Sequence, residues 1–141
     1  MSTSTDWHAA FPTPTATPDL ISAEDLAVII REKQIMKDYI VVDVRRTDFE
    51  DASIVGCLNL PAHSFYPTLS TILAVLGEVP EVVFHCNSCK TGSRGQRAAG
   101  WYQDALNASG GGAKSRALVL DGGIRRWIEV YGQNESLTKK L

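Results

Sequence analysis

The most informative stretch of the chain spans residues 82–95 and reads Val82-Val83-Phe84-His85-Cys86-Asn87-Ser88-Cys89-Lys90-Thr91-Gly92-Ser93-Arg94-Gly95. It begins as an apolar run typical of a buried strand, passes a cysteine and small polar residues, and reaches an arginine that opens a predicted helix. Loop N–H groups and a helix N-terminus carry partial positive charge, which attracts anions and lowers the pKa of a nearby thiol. The stretch therefore predicts a nucleophilic cysteine beside a site for a small anionic substrate.

The residues around this cysteine fall into three groups of candidates. The candidate catalytic residues are Cys86, Arg94 and Cys89. The planar guanidinium of Arg94 can bind a tetrahedral oxyanion, and Cys89 completes a Cys-x-x-Cys that could supply a second thiol. The candidate substrate-binding residues are Asn87, Ser88, Lys90, Thr91, Gly92, Ser93 and Gly95. The candidates for supporting roles are Asp43, Arg45, His85 and Arg97.

Most of the supporting residues have an ordinary structural interpretation as well. Asp43 and Arg45 lie near a predicted strand end, where they either pair with each other or form the floor of the site. His85 precedes Cys86 in a strand, so its side chain points away from the thiol and we expect it to make a structural hydrogen bond. Arg97 lies one turn beyond Arg94 and faces either substrate or solvent.

Composition excludes several classes of function. The chain has 141 residues and a net charge of −2, which favours one domain and gives no support for binding nucleic acid or membranes. Its three cysteines, Cys57, Cys86 and Cys89, do not resemble a secreted disulfide framework, so we expect a cytoplasmic protein. The sequence has one Cys-x-x-Cys and no second spaced pair to complete a four-ligand zinc site. We therefore expect no metal and no cofactor.

The chain divides into a tail, a domain and a second tail. Residues 1–18 are rich in Thr, Ser, Pro and Ala and are predicted to form a flexible N-terminal tail. Residues 19–134 are predicted to form one domain, and residues 135–141 a C-terminal tail. Within the domain, Ser22 is predicted to cap the first helix.

Strand and helix patterns alternate along the predicted domain. Strands are predicted over residues 39–44, 82–85 and 117–120, with a weaker candidate over 54–60. Helices are predicted over residues 69–76 and 94–106 and after Gly122-Gly123. The alternation indicates an α/β fold whose central, mostly parallel sheet is flanked by helices on both faces. Ligands of such sheets bind at the carboxyl ends of strands, which is where Cys86 lies.

Several short motifs resemble the rhodanese superfamily. They are Asp43-Val44-Arg45, Glu50, Ile54-Val55-Gly56-Cys57-Leu58-Asn59-Leu60-Pro61 and Leu118-Val119-Leu120-Asp121-Gly122-Gly123 with Trp127. The resemblance covers residues 21–131 and implies a rhodanese-like α/β fold with one catalytic cysteine whose loop binds the substrate. His85-Cys86 followed by Arg94 also resembles the branch that includes fungal arsenate reductases and cell-cycle phosphatases.

The cysteine loop departs from the family pattern in its length. Seven residues separate Cys86 from Arg94. Small sulfurtransferases of the family typically have four residues there, and arsenate reductases and cell-cycle phosphatases have five. Counted from Cys89 the spacing is four, so either cysteine could be the nucleophile. We favour Cys86 because it directly follows the strand, whereas loop length changes easily by insertion.

The resemblance leaves three functions open, of which we favour the first. One is a sulfurtransferase that carries a persulfide on Cys86 from thiosulfate to cyanide or to a thiol such as glutathione or a thioredoxin-like protein. The second is an arsenate reductase or phosphatase that uses the same cysteine and arginine. The third is a non-catalytic oxyanion-binding module. The loop has no carboxylate to protonate a leaving alkoxide, which argues against the phosphatase, and Lys90 suits a small dianion.

Overall fold

A computed structural model describes residues 7–90, 92–109 and 114–141. The strands are β1 (Asp19–Ile21), β2 (Tyr39–Asp43), β3 (Ala52–Ile54), β4 (Leu58–Asn59), β5 (Glu81–His85), β6 (Arg116–Leu120) and β7 (Thr138–Lys140). The helices are α1 (Ala23–Glu32), α2 (Ala62–Phe65), α3 (Leu69–Leu76), α4 (Arg94–Ala108) and α5 (Gly123–Tyr131). A short 3-10 helix, Tyr66–Thr68, links α2 to α3.

The central sheet has the predicted parallel arrangement. Its strand order is β1-β6-β5-β2-β4, and every neighbouring pair is parallel. Asp43 and His85 are register partners, so β2 and β5 end at the same level. The two strands are buried almost throughout, as expected from their apolar runs. Cys86 therefore emerges from the middle of the sheet at its carboxyl edge.

Helices cover both faces of the sheet. Alternate residues of β2 and β5 point to opposite sides: Val42 and Phe84 pack with α2, α3 and α4, whereas Val41 and Val83 pack with α1 and α5. The serine predicted to cap α1 does so, because the Ser22 side chain accepts a hydrogen bond from the amide of Asp25. The fold is thus the α/β arrangement predicted from the sequence, with a parallel central sheet and helices on both faces.

Residues 7–18 of the predicted N-terminal tail, which we call the N-terminal strap, lie against α4. The indole of Trp101 donates to the carbonyl of Pro12, and the Asp104 carboxylate accepts from the amides of Thr15 and Ala16. Gly100 leaves room for the strap, since a Cβ there would lie 2.6 Å from Cβ of Pro14. Side chains of α4 hold the strap, so the composition of the strap alone does not reveal these contacts. Residues 1–6 of the predicted tail lie outside the described residues.

Residues 135–141 of the predicted C-terminal tail contact the rest of the domain. Leu137 is buried, and β7 pairs with β3 in an antiparallel two-stranded sheet. The hydroxyl of Thr138 accepts a hydrogen bond from the indole of Trp127. The strand predicted over residues 54–60 is also divided: β3 ends at Ile54 and β4 is only two residues long. These pairings join distant parts of the chain, which local periodicity cannot show.

No helix in the described parts of the chain is long and apolar enough to cross a membrane.

Candidate active site

A pocket of about 450 Å³ opens at the carboxyl end of β5. The part of its lining that follows β5 consists of Cys86, Asn87, Ser88, Gly92, Ser93 and Arg94. The remaining lining residues are Trp7 and His8 of the strap and His63 of α2. The pocket therefore joins the predicted cysteine loop, residues 86–93, to two segments that are remote from it in sequence.

Cys86 has the properties of an activated thiol. It is only 3% exposed, and its Sγ lies 3.8 Å from Sγ of Cys89. A hydrogen bond from the Cys89 thiol is the largest cause that lowers the pKa of Cys86 to about 4, with burial opposing it. The amides of Gly95 and Cys89 and the hydroxyl of Ser93 lower it further. The thiolate form of Cys86 is therefore favoured by the Cys89 thiol and by donors at the start of α4.

Cys89 lies beneath the thiolate and outside the pocket lining. Its backbone is left-handed, with φ of 53°, which turns the side chain back into the domain. The Sγ atom accepts a hydrogen bond of 3.1 Å from the amide of Cys86. Its hydrogen bond to Cys86, followed by burial, raises the pKa of Cys89 far above its usual range. The two pKa shifts have opposite directions, so Cys86 is the more acidic thiol of the pair.

Two glycines permit this close packing of loop and helices. A Cβ on Gly95 would lie 2.8 Å from Sγ of Cys89 and 3.2 Å from the amide nitrogen of Cys86. On the other side, the amides of Ile124 and Arg125 at the start of α5 donate to the carbonyls of Cys86 and Asn87. A Cβ on Gly123 would lie 2.5 Å from the carbonyl oxygen of Asn87. The Gly122-Gly123 turn therefore brings α5 against the cysteine loop.

Arg94 is held by an aspartate that sequence analysis did not identify. Its Nη1 and Nη2 donate to the two carboxylate oxygens of Asp48 at 2.8 and 2.6 Å. This hydrogen-bonded pair is the main cause that holds the pKa of Asp48 well below its usual range and raises the pKa of Arg94. Asp48 orients the guanidinium from outside the pocket lining, so it is a positioning residue. A carboxylate in a loop 46 positions before its partner carries no local signal of this role.

The buried pair of Asp43 and Arg45 shapes the loop that carries Asp48. The Arg45 guanidinium donates to the Asp43 carboxylate at 2.8 Å, and both side chains are buried. It also donates to the carbonyls of Asp48, Glu50 and Ala52. The pair therefore supports the site through the loop between β2 and β3, not through contact with the pocket. The sequence left two alternatives for Asp43 and Arg45, and the structure shows the two side chains paired with each other.

His85 is a second buried support. Its Nδ1 lies 2.9 Å from the carbonyl oxygen of Cys86, and its Nε2 lies 3.6 Å from a carboxylate oxygen of Asp43. The imidazole is fully buried and does not line the pocket. The geometry matches the structural hydrogen bond expected for this residue.

The remaining predicted loop residues divide into those that line the pocket and those that do not. Lys90 is exposed and outside the lining, and Thr91 lies outside the described residues. Arg97 donates from Nε to the carbonyl of Gly92 at 3.2 Å, so it braces the loop. Gly92 has a φ of 77°, a conformation that favours glycine.

Trp7, His8 and His63 were missed by sequence analysis. The ring centroids of Trp7 and His63 are 4.7 Å apart, so the strap covers α2 at the pocket wall. No local pattern marks these residues, because the strap reaches the pocket through contacts with residues that are remote in sequence. Within the described residues, no group of three or more His, Cys, Asp or Glu side chains could hold a metal ion.

Three comparisons place this geometry among known proteins. The sequence profile described as Rhodanese-like domain matches residues 22–130. The structure of Ygr203w, described as a yeast protein tyrosine phosphatase of the Rhodanese family, is 24% identical, has a TM-score of 0.64, and covers 87% of this chain and 92% of its own. A structure described as an As-Sb reductase from Leishmania major is 19% identical, with a TM-score of 0.65 and the same coverage of 87% and 92%.

A second structure of Saccharomyces cerevisiae Ygr203w, described as a homologue of single-domain rhodanese and the Cdc25 phosphatase catalytic domain, is 25% identical with a TM-score of 0.64. It covers 85% of this chain and 86% of its own. No curated protein sequence matches the chain. The profile match spans most of the chain, from the cap of α1 to the end of α5, and includes the cysteine loop. The chain belongs to the rhodanese family.

Proposed function

We propose that the chain is a cysteine-dependent enzyme that reduces a small tetrahedral oxyanion of the arsenate class. Cys86 is the nucleophile and Cys89 is the thiol that resolves the adduct. The observation that carries the proposal is the sulfur pair itself, in which Sγ of Cys89 lies 3.8 Å from Sγ of Cys86. A second thiol at that distance suits a reaction in which two thiols are oxidised together.

The first step forms a bond between Cys86 and the oxyanion. The thiolate attacks arsenic(V), and one arsenate oxygen takes up protons from solvent and leaves as water. Arg94 and the amides at the start of α4 neutralise the negative charge of the bound anion. Sulfur has then replaced one oxygen on arsenic, and the oxidation state of arsenic is unchanged.

The second step transfers the electrons. Once Cys86 is esterified, its negative charge no longer raises the pKa of Cys89, and the Cys89 thiol can lose its proton. Cys89 attacks Sγ of Cys86, the sulfur–arsenic bond breaks, and its electron pair stays on arsenic, which leaves as arsenite. The two sulfurs must approach from 3.8 Å to the disulfide length of about 2.05 Å. Two molecules of an external thiol then reduce the disulfide and restore the pair.

The structural neighbours support this class of chemistry on this fold. The neighbour from Leishmania major is described as an As-Sb reductase and Ygr203w as a protein tyrosine phosphatase. A phosphatase needs an acid to protonate its leaving alkoxide, and no carboxylate is among the described residues that line the pocket. Asp48 is close to Arg94, but the ion pair keeps it ionised. Reduction of an oxyanion is therefore favoured over phosphate-ester hydrolysis.

A thiosulfate sulfurtransferase is the second candidate, favoured by the lowered pKa of Cys86 and the donors around its sulfur. The thiolate would attack the sulfane sulfur of thiosulfate, and sulfite would leave with the electrons of the broken sulfur–sulfur bond. The persulfide would then pass its outer sulfur to cyanide or to a thiol. Cys89 argues against a long-lived persulfide, because its attack on Sγ of Cys86 would release hydrosulfide and form a disulfide.

Mass spectrometry of the intact protein after exposure to arsenate, without external thiol, tests the proposal. We expect the loss of two hydrogen atoms and the release of one arsenite per chain. Cys86→Ser and Cys89→Ser should both prevent the disulfide, and Cys57→Ser, the matched control, should still form it. A stable gain of one sulfur atom from thiosulfate, with no arsenite from arsenate, would establish the sulfurtransferase instead. No reaction with either anion would favour a non-catalytic oxyanion-binding module.

A further inference from the structure

His63 is a pocket residue that the proposed reaction does not yet use. It lies on α2, whose neighbours Ala62 and Phe65 are buried against the core that α4 also covers. The ring of Trp7 covers it with an interplanar angle of 34°. The helix fixes the imidazole from one side and the strap from another, so its orientation is set by packing.

The two ring nitrogens of His63 have different surroundings. Nδ1 is buried and has no hydrogen-bond partner. A proton on Nδ1 would bury an unpaired N–H, whereas an unprotonated Nδ1 leaves only a lone pair there. The tautomer with its proton on Nε2 is therefore the less costly one, and it leaves an Nε2–H that can donate within the pocket that His63 lines.

Burial and the nearby charges favour the neutral form of the His63 imidazole. Burial is the main cause that lowers its pKa, and the nearby cations Arg46 and Arg94 lower it further, while Asp48 opposes them. A second proton would also occupy the buried Nδ1. A neutral imidazole beside Arg94 adds no repulsion between cations and still offers one N–H donor.

We propose that His63 binds the oxyanion, with Nε2–H donating a hydrogen bond to an oxygen of the anion held between Cys86 and Arg94. The proposal rests on the proposed function only in requiring that the pocket binds a tetrahedral oxyanion. Three kinds of donor then surround the anion: the amides at the start of α4, the guanidinium of Arg94 and the imidazole of His63. His63 stabilises the bound anion and transfers no proton.

Protection of Cys86 by inorganic phosphate tests this role without any turnover. Phosphate is a tetrahedral oxyanion that the thiol pair does not reduce, and iodoacetamide is a neutral reagent whose attachment to Cys86 is followed by peptide mass. We expect His63→Leu to weaken phosphate protection by roughly tenfold, because a hydrogen bond to a charged group is lost. His63→Gln, whose amide can donate, should remain within a few-fold of the wild type.

The outcomes separate binding from a merely structural role. Equal weakening in His63→Leu and His63→Gln would overturn the proposal, as would unchanged protection in His63→Leu with a native circular dichroism spectrum. If His63→Leu does not fold, His63→Gln still decides, because weakening by tenfold in that variant contradicts a donor role. Greater weakening in His8→Leu than in His63→Leu would assign the donor to the strap and overturn the proposal.

The same measurement separates this proposal from the proposed function. If phosphate protects the wild-type protein and arsenate yields no disulfide, the reductase is excluded while the test of His63 remains valid. If phosphate at high concentration does not protect the wild-type protein at all, the oxyanion pocket is excluded, and the proposed role of His63 with it.

Discussion

The cysteine loop and the N-terminal strap border the same pocket, yet different kinds of contact hold them in place. Backbone groups hold the loop, since amides of α5 donate to the carbonyls of Cys86 and Asn87. Side chains of α4 hold the strap, chiefly Asp104 and Trp101. The loop therefore depends on where glycine permits a close approach, and the strap depends on which side chains α4 presents. Each can be disrupted separately.

Gly123→Ala should have the largest effect because it acts on the backbone contacts of the loop. Gly123 has a φ of 59°, and its added Cβ would meet the carbonyl oxygen of Asn87 at 2.5 Å. We expect the free energy of unfolding to fall by about 3 kcal/mol, measured by urea denaturation.

Gly92→Ala is the matched control for this substitution. Gly92 also has a positive φ, of 77°, but nothing lies within 4 Å of an added Cβ. Only the backbone strain remains, which costs about 1 kcal/mol. Equal losses in the two variants would show that strain alone, and not the contact with α5, explains the role of Gly123.

Cys89→Ala should have the next largest effect, on the pKa of Cys86. The variant removes the thiol that donates to Cys86, so the pKa should rise from about 4 by at least about one unit. The rate of alkylation by iodoacetamide as a function of pH reports this pKa. Cys57→Ala is the control, since Cys57 packs in the core on the other face of the sheet. An unchanged midpoint in Cys89→Ala would refute the sulfur–sulfur hydrogen bond.

The same pKa gives the stability of the protein a pH dependence of known sign. The pKa of Cys86 in the folded state is about 4, well below that of an ordinary thiol. The thiolate therefore stabilises the folded state fully above the ordinary thiol pKa, and this contribution is lost progressively as the pH falls toward 4. We expect the difference in unfolding free energy between wild type and Cys86→Ser to shrink over that range.

Asp104→Ala should have a smaller effect, confined to the strap. Three hydrogen bonds from Thr15 and Ala16 end on this carboxylate. We expect a loss of about 1–2 kcal/mol and faster proteolysis near residue 15, measured by limited digestion. Asn107→Ala is the control on the same helix, because among the described residues Asn107 only accepts a surface hydrogen bond from Gln103. Unchanged proteolysis in Asp104→Ala would mean that the apolar contacts of Phe11 and Trp7 suffice.

Asp48→Asn should have the smallest effect on stability and a visible effect on rate. The ion pair with Arg94 is about one-quarter to one-third exposed, so we expect a loss below about 1 kcal/mol. Arg94 then lacks its orienting partner, and turnover of the oxyanion should fall by about threefold to tenfold. Asp51→Asn on the same loop is the control, because asparagine tolerates the left-handed φ of 69° there. Equal rates in the two variants would exclude a positioning role for Asp48.

The parts of the site that could be predicted are those encoded within one segment. The apolar run of β5, the cysteine at its end and Ser93-Arg94 at the start of α4 are local signals, and the structure brings them together as expected. Gly122-Gly123 was recognisable as a turn, although its contact with Asn87 was not. Local sequence also shows the cap of α1, because Ser22 bonds to an amide only three residues away.

The parts that could not be predicted depend on side chains meeting across the fold. Asp48 meets Arg94 only after Arg45 has folded the intervening loop, and Trp7 meets His63 only because α4 holds the strap. The pairing of β3 with β7 similarly depends on the path of the chain after α5. In each case the sequence around either partner carries no local signal of the contact. The contact forms because other parts of the fold bring the two partners together.

The separate anchoring of Cys86 and Arg94 has a consequence for substrate size. Cys86 is held by β5 and α5, whereas Arg94 is held by α4 and Asp48. The chain between the two residues can therefore change in length while both stay in place. Adding or removing residues around the exposed Lys90 would change the room that the loop leaves beside Cys86, while Cys86 and Arg94 stay in place. A longer or shorter loop in this chain would therefore admit anions of a different size between the same two side chains.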